Sequence, residues 1–319
     1  MKKIILTILM AVGITSAQAQ TLTATLQQGD VVTPFYGENA FRNAFEAAQD
    51  GAVITLSPGA HLKPNASLDI NKSITLIGSG AFGEDEAISY VNELWVKVDN
   101  VRIEGLYFQN RLHIVDWANN ARILHCYISV IGGNDHNNTI VDQCVIKQND
   151  IRYGGFTNYC IKNSTILESG TGTGNTTFIN DVIIIPYGDC GKDTYRNCVL
   201  GIDYDYGIDL DSPGEYYNNV FFNTRKKDEV MQVYFKEGCV NSGNTIDTYE
   251  NLFGGVFPSK TMAVPNTTTL GDDGKKVGPE GGSGYKLYPA IPRIISKSID
   301  RQTDADGKIK VNIQVKAEE

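Results

Sequence analysis

The densest run of groups able to do chemistry is Asp203-Tyr204-Asp205-Tyr206-Gly207-Ile208-Asp209-Leu210-Asp211. In an extended strand residues two apart share a face, so Asp203 with Asp205, and Asp209 with Asp211, present paired carboxylates to one hard cation, for which calcium is the natural candidate. The same spacing has a plainer reading, in which Ile208 and Leu210 point to a core while Asp209 and Asp211 alternate outward to water. Basic groups stand nearby in the chain: Arg225, Lys226 and Lys227 in one run, and Arg152 beside Asp150. Trp117, Tyr153, Phe156, Tyr187, Tyr204 and Tyr206 offer rings that stack on sugars if several share one side, or that cover a thin core if they do not. The histidines at 61, 113, 125 and 136 do not cluster, and no serine or cysteine triad can be read.

Whatever these groups do depends on the elements that carry them, and a repeated phrase identifies those elements. It reads Arg102-Ile103-Glu104-Gly105-Leu106-Tyr107-Phe108, then Arg122 to Ile128, Ile140 to Ile146, Cys160 to Ile166, Phe178 to Ile184, Thr194 to Leu200 and Tyr216 to Phe222. The fourth members, Gly105, His125, Gln143, Asn163, Asp181, Asn197 and Asn219, recur at steps of 16 to 22 residues. Repeats of this size mean a solenoid. Each phrase is two short strands meeting at one bent residue, and a column rich in Asn, Asp and Gly supplies the left-handed backbone such a bend requires. Inward residues then stack: Ile103, Ile123, Val141, Ile161 and Ile179 in one file, and Phe108, Ile128, Ile146, Ile166, Ile184, Leu200 and Phe222 in another. With neighbouring strands about 4.8 Å apart, eight or so coils make a parallel β-helix roughly 40 Å long. Cys126, Cys144 and Cys198 share one inward column and read as buried thiols. Cys160, Cys190 and Cys239 lie outside it, and their pairing stays open.

The segment from Asn39 through Phe41-Arg42-Asn43-Ala44-Phe45-Glu46-Ala47-Ala48 to Ser57-Pro58-Gly59, followed by Ser73-Ile74-Thr75-Leu76-Ile77-Gly78-Ser79-Gly80, resembles the opening of right-handed β-helix proteins of the pectin-lyase-like class. The resemblance spans roughly residues 36 to 255 and implies an amphipathic helix capping the rod. Phe41, Ala44, Phe45 and Ala48 have the spacing of its buried stripe. It implies a fold rather than an activity, since members include lyases, hydrolases, adhesins and proteins without a known reaction. The lyases of the class hold calcium on carboxylates like Asp203, Asp205, Asp209 and Asp211. They take a proton with an Arg or Lys near the metal, a role for which Arg225, Lys227 and Arg152 are the candidates. The motifs of the class are nevertheless missing: there is no Asn-x-Asp, no Gly-His-Gly and no Arg-x-Pro-x-x-Arg, and Asp272-Asp273 lies in the tail.

Lys2 and Lys3, the apolar run Ile4 to Ile14 and Ala17-Gln18-Ala19 read as a secretory signal over residues 1–19, too short to span a membrane. Removing those two lysines takes the formal charge from −9 to −11, which argues against a nucleic-acid partner. The expected organisation is a leader (1–19), a β-helix with its cap (20–255) and a Pro/Gly-rich tail (256–319). In the tail, Asp304-Ala305-Asp306-Gly307 makes a turn pairing Arg293 to Ile299 with the alternating strand from Ile309. As a calcium loop that turn lacks two ligands, at Gln302 and Ile313. The tail is similar to the C-terminal ends of Bacteroidetes envelope proteins. Together these readings give a secreted, periplasmic or cell-surface β-helix that binds an extended glycan or surface component without catalysis. The alternative is a calcium-dependent lyase acting on an acidic glycan.

Overall fold

The computed structural model describes residues 21–82, 88–115, 118–134, 137–150, 158–169, 176–186, 193–203, 208–210, 214–258, 261–281, 293–299 and 311–316. It is an all-β parallel solenoid of about seven turns. Two long sheets, of 12 and 11 strands, run the length of the rod; beyond an antiparallel hairpin at the start of the larger one, the strands of the coils pair in parallel with their counterparts one coil away. Ile123, for example, lies between Ile103 and Val141, and Tyr127 between Tyr107 and Val145.

The bend that joins the sheets is left-handed at Gly105, His125, Gln143, Asn163, Asn180, Asn197, Asn218 and Gly243, with φ between 49° and 67°. Two positions differ from expectation: Asn180 and Asn218 make the bend, not Asp181 and Asn219. In both pairs the first residue takes the strained backbone and the second turns its side chain inward. There it accepts a backbone N–H from the preceding coil: Ser164 N–H to Asp181 Oδ1 (2.7 Å) and Cys198 N–H to Asn219 Oδ1 (2.8 Å). The inward files shift with them. Phe178 follows Ile161, Ile183 follows Ile166 and Phe221 follows Leu200, all three buried, in place of Ile179, Ile184 and Phe222. Phe222 is also buried, but on the outside of the second sheet, against Tyr249 and Leu252.

The column just after the bend is a polar ladder inside the rod. Cys126, Cys144, Ser164, Asp181, Cys198 and Asn219 are all buried. Cys144 Sγ accepts from Cys126 N–H at 3.4 Å, and Ser164 Oγ accepts from Cys144 N–H at 3.1 Å. Asn219 Nδ2 donates to the Tyr195 carbonyl, and Asn244 Nδ2 to the Tyr216 carbonyl. These side chains give partners to backbone groups that the sharp bend takes out of the sheet ladders. Cys126, Cys144, Cys160, Cys198 and Cys239 are free thiols, and Cys190 lies outside the described residues. A second left-handed column, Asn100, Asn120, Asn138 and Asn158, lies exposed on the opposite side of each phrase. Its amides form a ladder, each Nδ2 donating to the preceding Oδ1 at 3.0 to 3.3 Å.

The helix Ala40–Ala47 buries Phe41, Ala44 and Phe45, with Ala48 just beyond it. The first coil has a second cover that the sequence did not announce. The antiparallel hairpin Thr23–Gln28 and Val31–Tyr36 lays its first strand on Val53–Leu56. At the other end the five-residue helix Tyr249–Phe253 is capped by Thr248 and stopped by left-handed Gly254.

Residues 261–281, within the expected Pro/Gly-rich tail, pack back on the rod. Met262, Ala263 and Val277 are buried against the outward apolar column Val145, Val182, Val199 and Val220. Asp272 pins this strap, accepting from Arg196 and Asn197 at 2.7 Å each. The strands Arg293–Ile299 and Val311–Lys316 pair antiparallel as expected, and the turn at Asp304 and Asp306 lies outside the described residues.

Candidate ligand-binding face

Four of the candidate metal ligands and bases, Asp203, Asp209, Arg225 and Lys227, lie within the described residues. Asp203 ends the strand Val199–Asp203 half-buried and is held in an ion pair with Arg225, with Thr224 Oγ1 at 3.4 Å. Asp209 is exposed between buried Ile208 and Leu210, so the alternating pattern holds through Ile208–Leu210, and it lies opposite Tyr234 in a separate two-stranded sheet. Lys227 donates to the Gly255 carbonyl at 3.2 Å and sits 4.6 Å over the Tyr249 ring. Arg225 and Asp203 are thus brought together, while Lys227 is engaged with the C-terminal helix. Trp117, Arg152, Tyr153, Tyr204, Asp205, Tyr206 and Asp211 lie outside the described residues. Among the described residues no three His, Cys, Asp or Glu side chains are grouped to hold a metal. His125, in the bend, lies 3.5 Å from Glu104, which Arg102 also binds at 2.7 Å.

A different face gathers ring, acid, base and amide side chains in register. It is the outward side of Ser67–Ile70, Ser89–Val96 and Tyr107–Ile114 in the second sheet. Successive residues of a strand point to opposite faces, so buried Leu94, Val96, Leu112 and Ile114 fix Glu93, Trp95, Arg111 and His113 outward. Trp95 and His113 are paired across the coil step, and their rings stack at 3.8 Å with 12° between planes. On the other flank of Trp95, Asp69 is in register, and Lys97 bridges the two, 3.0 Å from Asp69 Oδ2 and 5.8 Å from the indole centroid.

A register shift in this pairing sharpens the arrangement. Val91 pairs with Phe108 but Glu93 with Arg111, so Gln109 and Asn110 together oppose Asn92 as a bulge. A bulge re-aims a side chain out of strict alternation. Here it brings Asn110 Nδ2 to 2.8 Å from Glu93 Oε2, while Glu93 Oε1 takes the indole N–H of Trp95 at 2.6 Å. Arg111 is 3.6 Å from Asp150. Burial first, and then the Arg111 charge, push the His113 imidazole below its ordinary range against the opposing pull of Glu93 and Asp150. The ring beside Trp95 is therefore neutral at neutral pH.

No protein family, curated protein or solved structure matches this chain.

The geometry alone carries the assignment of the face. Sequence reading passed over it because the repeated phrase begins at Arg102, one coil after Trp95. The signal lay in the spacing: Trp95 and His113 stand 18 residues apart, the same step as His125 to Gln143.

Proposed function

We propose that this chain is a secreted or envelope β-solenoid of the pectin-lyase-like kind that binds an extended glycan along its outer face without turning it over. The observation that carries the reading is the stacked Trp95–His113 pair on the outward face, flanked by side chains that both donate and accept hydrogen bonds. Sugar recognition needs this combination: a flat apolar ring for the C–H face of a pyranose and fixed polar groups at its rim for the hydroxyls. The rod form suits an extended polymer, since equivalent positions recur at each coil along a nearly straight axis. The basic, apolar segment at residues 2–14 supports export as the setting in which such a ligand is met.

Asp203 has its carboxylate engaged by Arg225, and Asp209 turns to solvent on a strand with a buried apolar face. The test is binding of the mature chain to immobilised polysaccharides, with Trp95→Ala beside wild type. Loss of retention in the variant, with unchanged thermal melting, is the expected result. Equal retention of both proteins contradicts it.

A further inference from the structure

The charges on this face are matched within the protein, and that bears on what kind of sugar it takes. Glu93 accepts from Trp95 and Asn110, Lys97 faces Asp69, and Arg111 faces Asp150. Among the described residues an anionic sugar approaching the indole meets two carboxylates, Asp69 and Glu93, and a cation, Lys97, that already faces an acid, so it gains little Coulomb energy and loses hydration. An uncharged sugar meets the opposite situation. Its hydroxyls donate to Asp69 and Glu93 and accept from Lys97 and Asn110, exchanging hydrogen bonds with water one for one.

The position of the ring adds a location. His113 covers one face of Trp95. The other face looks along the rod toward Asp69 on the strand Ser67–Ile70, which among the described residues pairs with Ser89–Val96 and no further strand, so the row ends there. Lys97 reaches over the ring at 5.8 Å, a loose cation–π contact on a flexible side chain.

We infer that the Trp95 face bordered by Asp69, Lys97, Glu93 and Asn110 is a subsite for a neutral pyranose ring, and that the glycan bound by this protein is uncharged. The pyranose stacks on the indole, Lys97 swings to its rim, and Asp69 and Glu93 accept from adjacent hydroxyls. This rests on the glycan-binding reading above and narrows it to one ligand class.

The test is calorimetric titration of the mature chain with neutral oligosaccharides (β-1,4-linked glucose, mannose and xylose) and acidic ones (oligogalacturonate and oligoguluronate), each at low and high salt. Trp95→Phe, Trp95→Ala and Asp69→Asn are run beside wild type after a melting check. The expected result is binding of at least one neutral oligosaccharide with affinity independent of salt, weakened about tenfold by Trp95→Ala and less by Trp95→Phe and Asp69→Asn. Binding of acidic sugars alone, falling with salt, overturns the neutral assignment and leaves the glycan-binding reading standing. Neutral binding that none of the variants alters overturns the subsite. Silence across both halves of the panel overturns both.

Discussion

Asp181 is the side chain whose chemistry is most at odds with its surroundings. It is fully buried inside the rod, accepting from the N–H groups of Ser164 and Ile179. Burial raises its carboxyl well above the ordinary range, and the two N–H groups only partly oppose this. A carboxyl whose folded pKa is raised binds more protons folded than unfolded, so its contribution to stability is complete below the unfolded value of about 3.9 and falls as pH rises toward the folded value. Asp181→Asn removes that dependence on pH. Denaturant titrations at about pH 5 and about pH 8 are expected to show wild type losing stability with pH relative to the variant; parallel behaviour of the two contradicts the assignment. At Asn219 the expected effect is the reverse in sign. Alanine there removes the side-chain acceptor of the Cys198 N–H in the core and costs about 1–3 kcal/mol in urea unfolding.

At the scale of the element, the coil is set by two left-handed columns, and only one of them was legible beforehand. The inner bend stood out because polar turn-formers, Asn above all, recur at the centre of an otherwise apolar phrase. Two of its members were placed one residue late, since Asn180-Asp181 and Asn218-Asn219 each offer two suitable residues in a row. Periodicity cannot choose between such neighbours; the need for an inward acceptor does. The outer column Asn100, Asn120, Asn138 and Asn158 stands just ahead of the phrase, where polar residues are unremarkable. Its backbone argument is testable at exposed Asn120, with φ 58°. Asn120→Ala and Asn120→Gly both remove the amide ladder, but only alanine pays the left-handed penalty, so alanine is expected to be less stable than glycine by about 1 kcal/mol in thermal or urea unfolding. Equal losses would assign the stability to the ladder instead. The Asn110 bulge was illegible for a related reason: an inserted residue interrupts the very alternation by which strands are read.

Over the whole molecule, the solenoid itself was written in the repeat, while its covers were not. The hairpin Thr23–Gln28 with Val31–Tyr36 and the strap 261–281 have no period of their own, because each is shaped by the surface it covers. The strap fits closely: a side chain at Gly271 would place its Cβ 2.5 Å from Asn197 Cγ, and Asp272 beside it ties Arg196 and Asn197. Gly271→Val is therefore expected to lift the strap, seen as faster proteolysis within 261–281 and as dye binding to the uncovered Val182, Val199 and Val220. An unchanged cleavage rate would mean the strap holds by its other contacts alone. The central claim remains a rod that holds a glycan and does not cut it. Its most direct test mixes the mature chain with neutral and acidic polysaccharides, with calcium and with chelator, and follows retention on all of them and the ultraviolet absorbance of unsaturated product on the acidic ones, which carry the carboxylate that β-elimination needs. Retention that depends on Trp95, with flat absorbance in both conditions, is the predicted result; calcium-dependent absorbance abolished by Asp203→Ala would contradict it and establish a lyase.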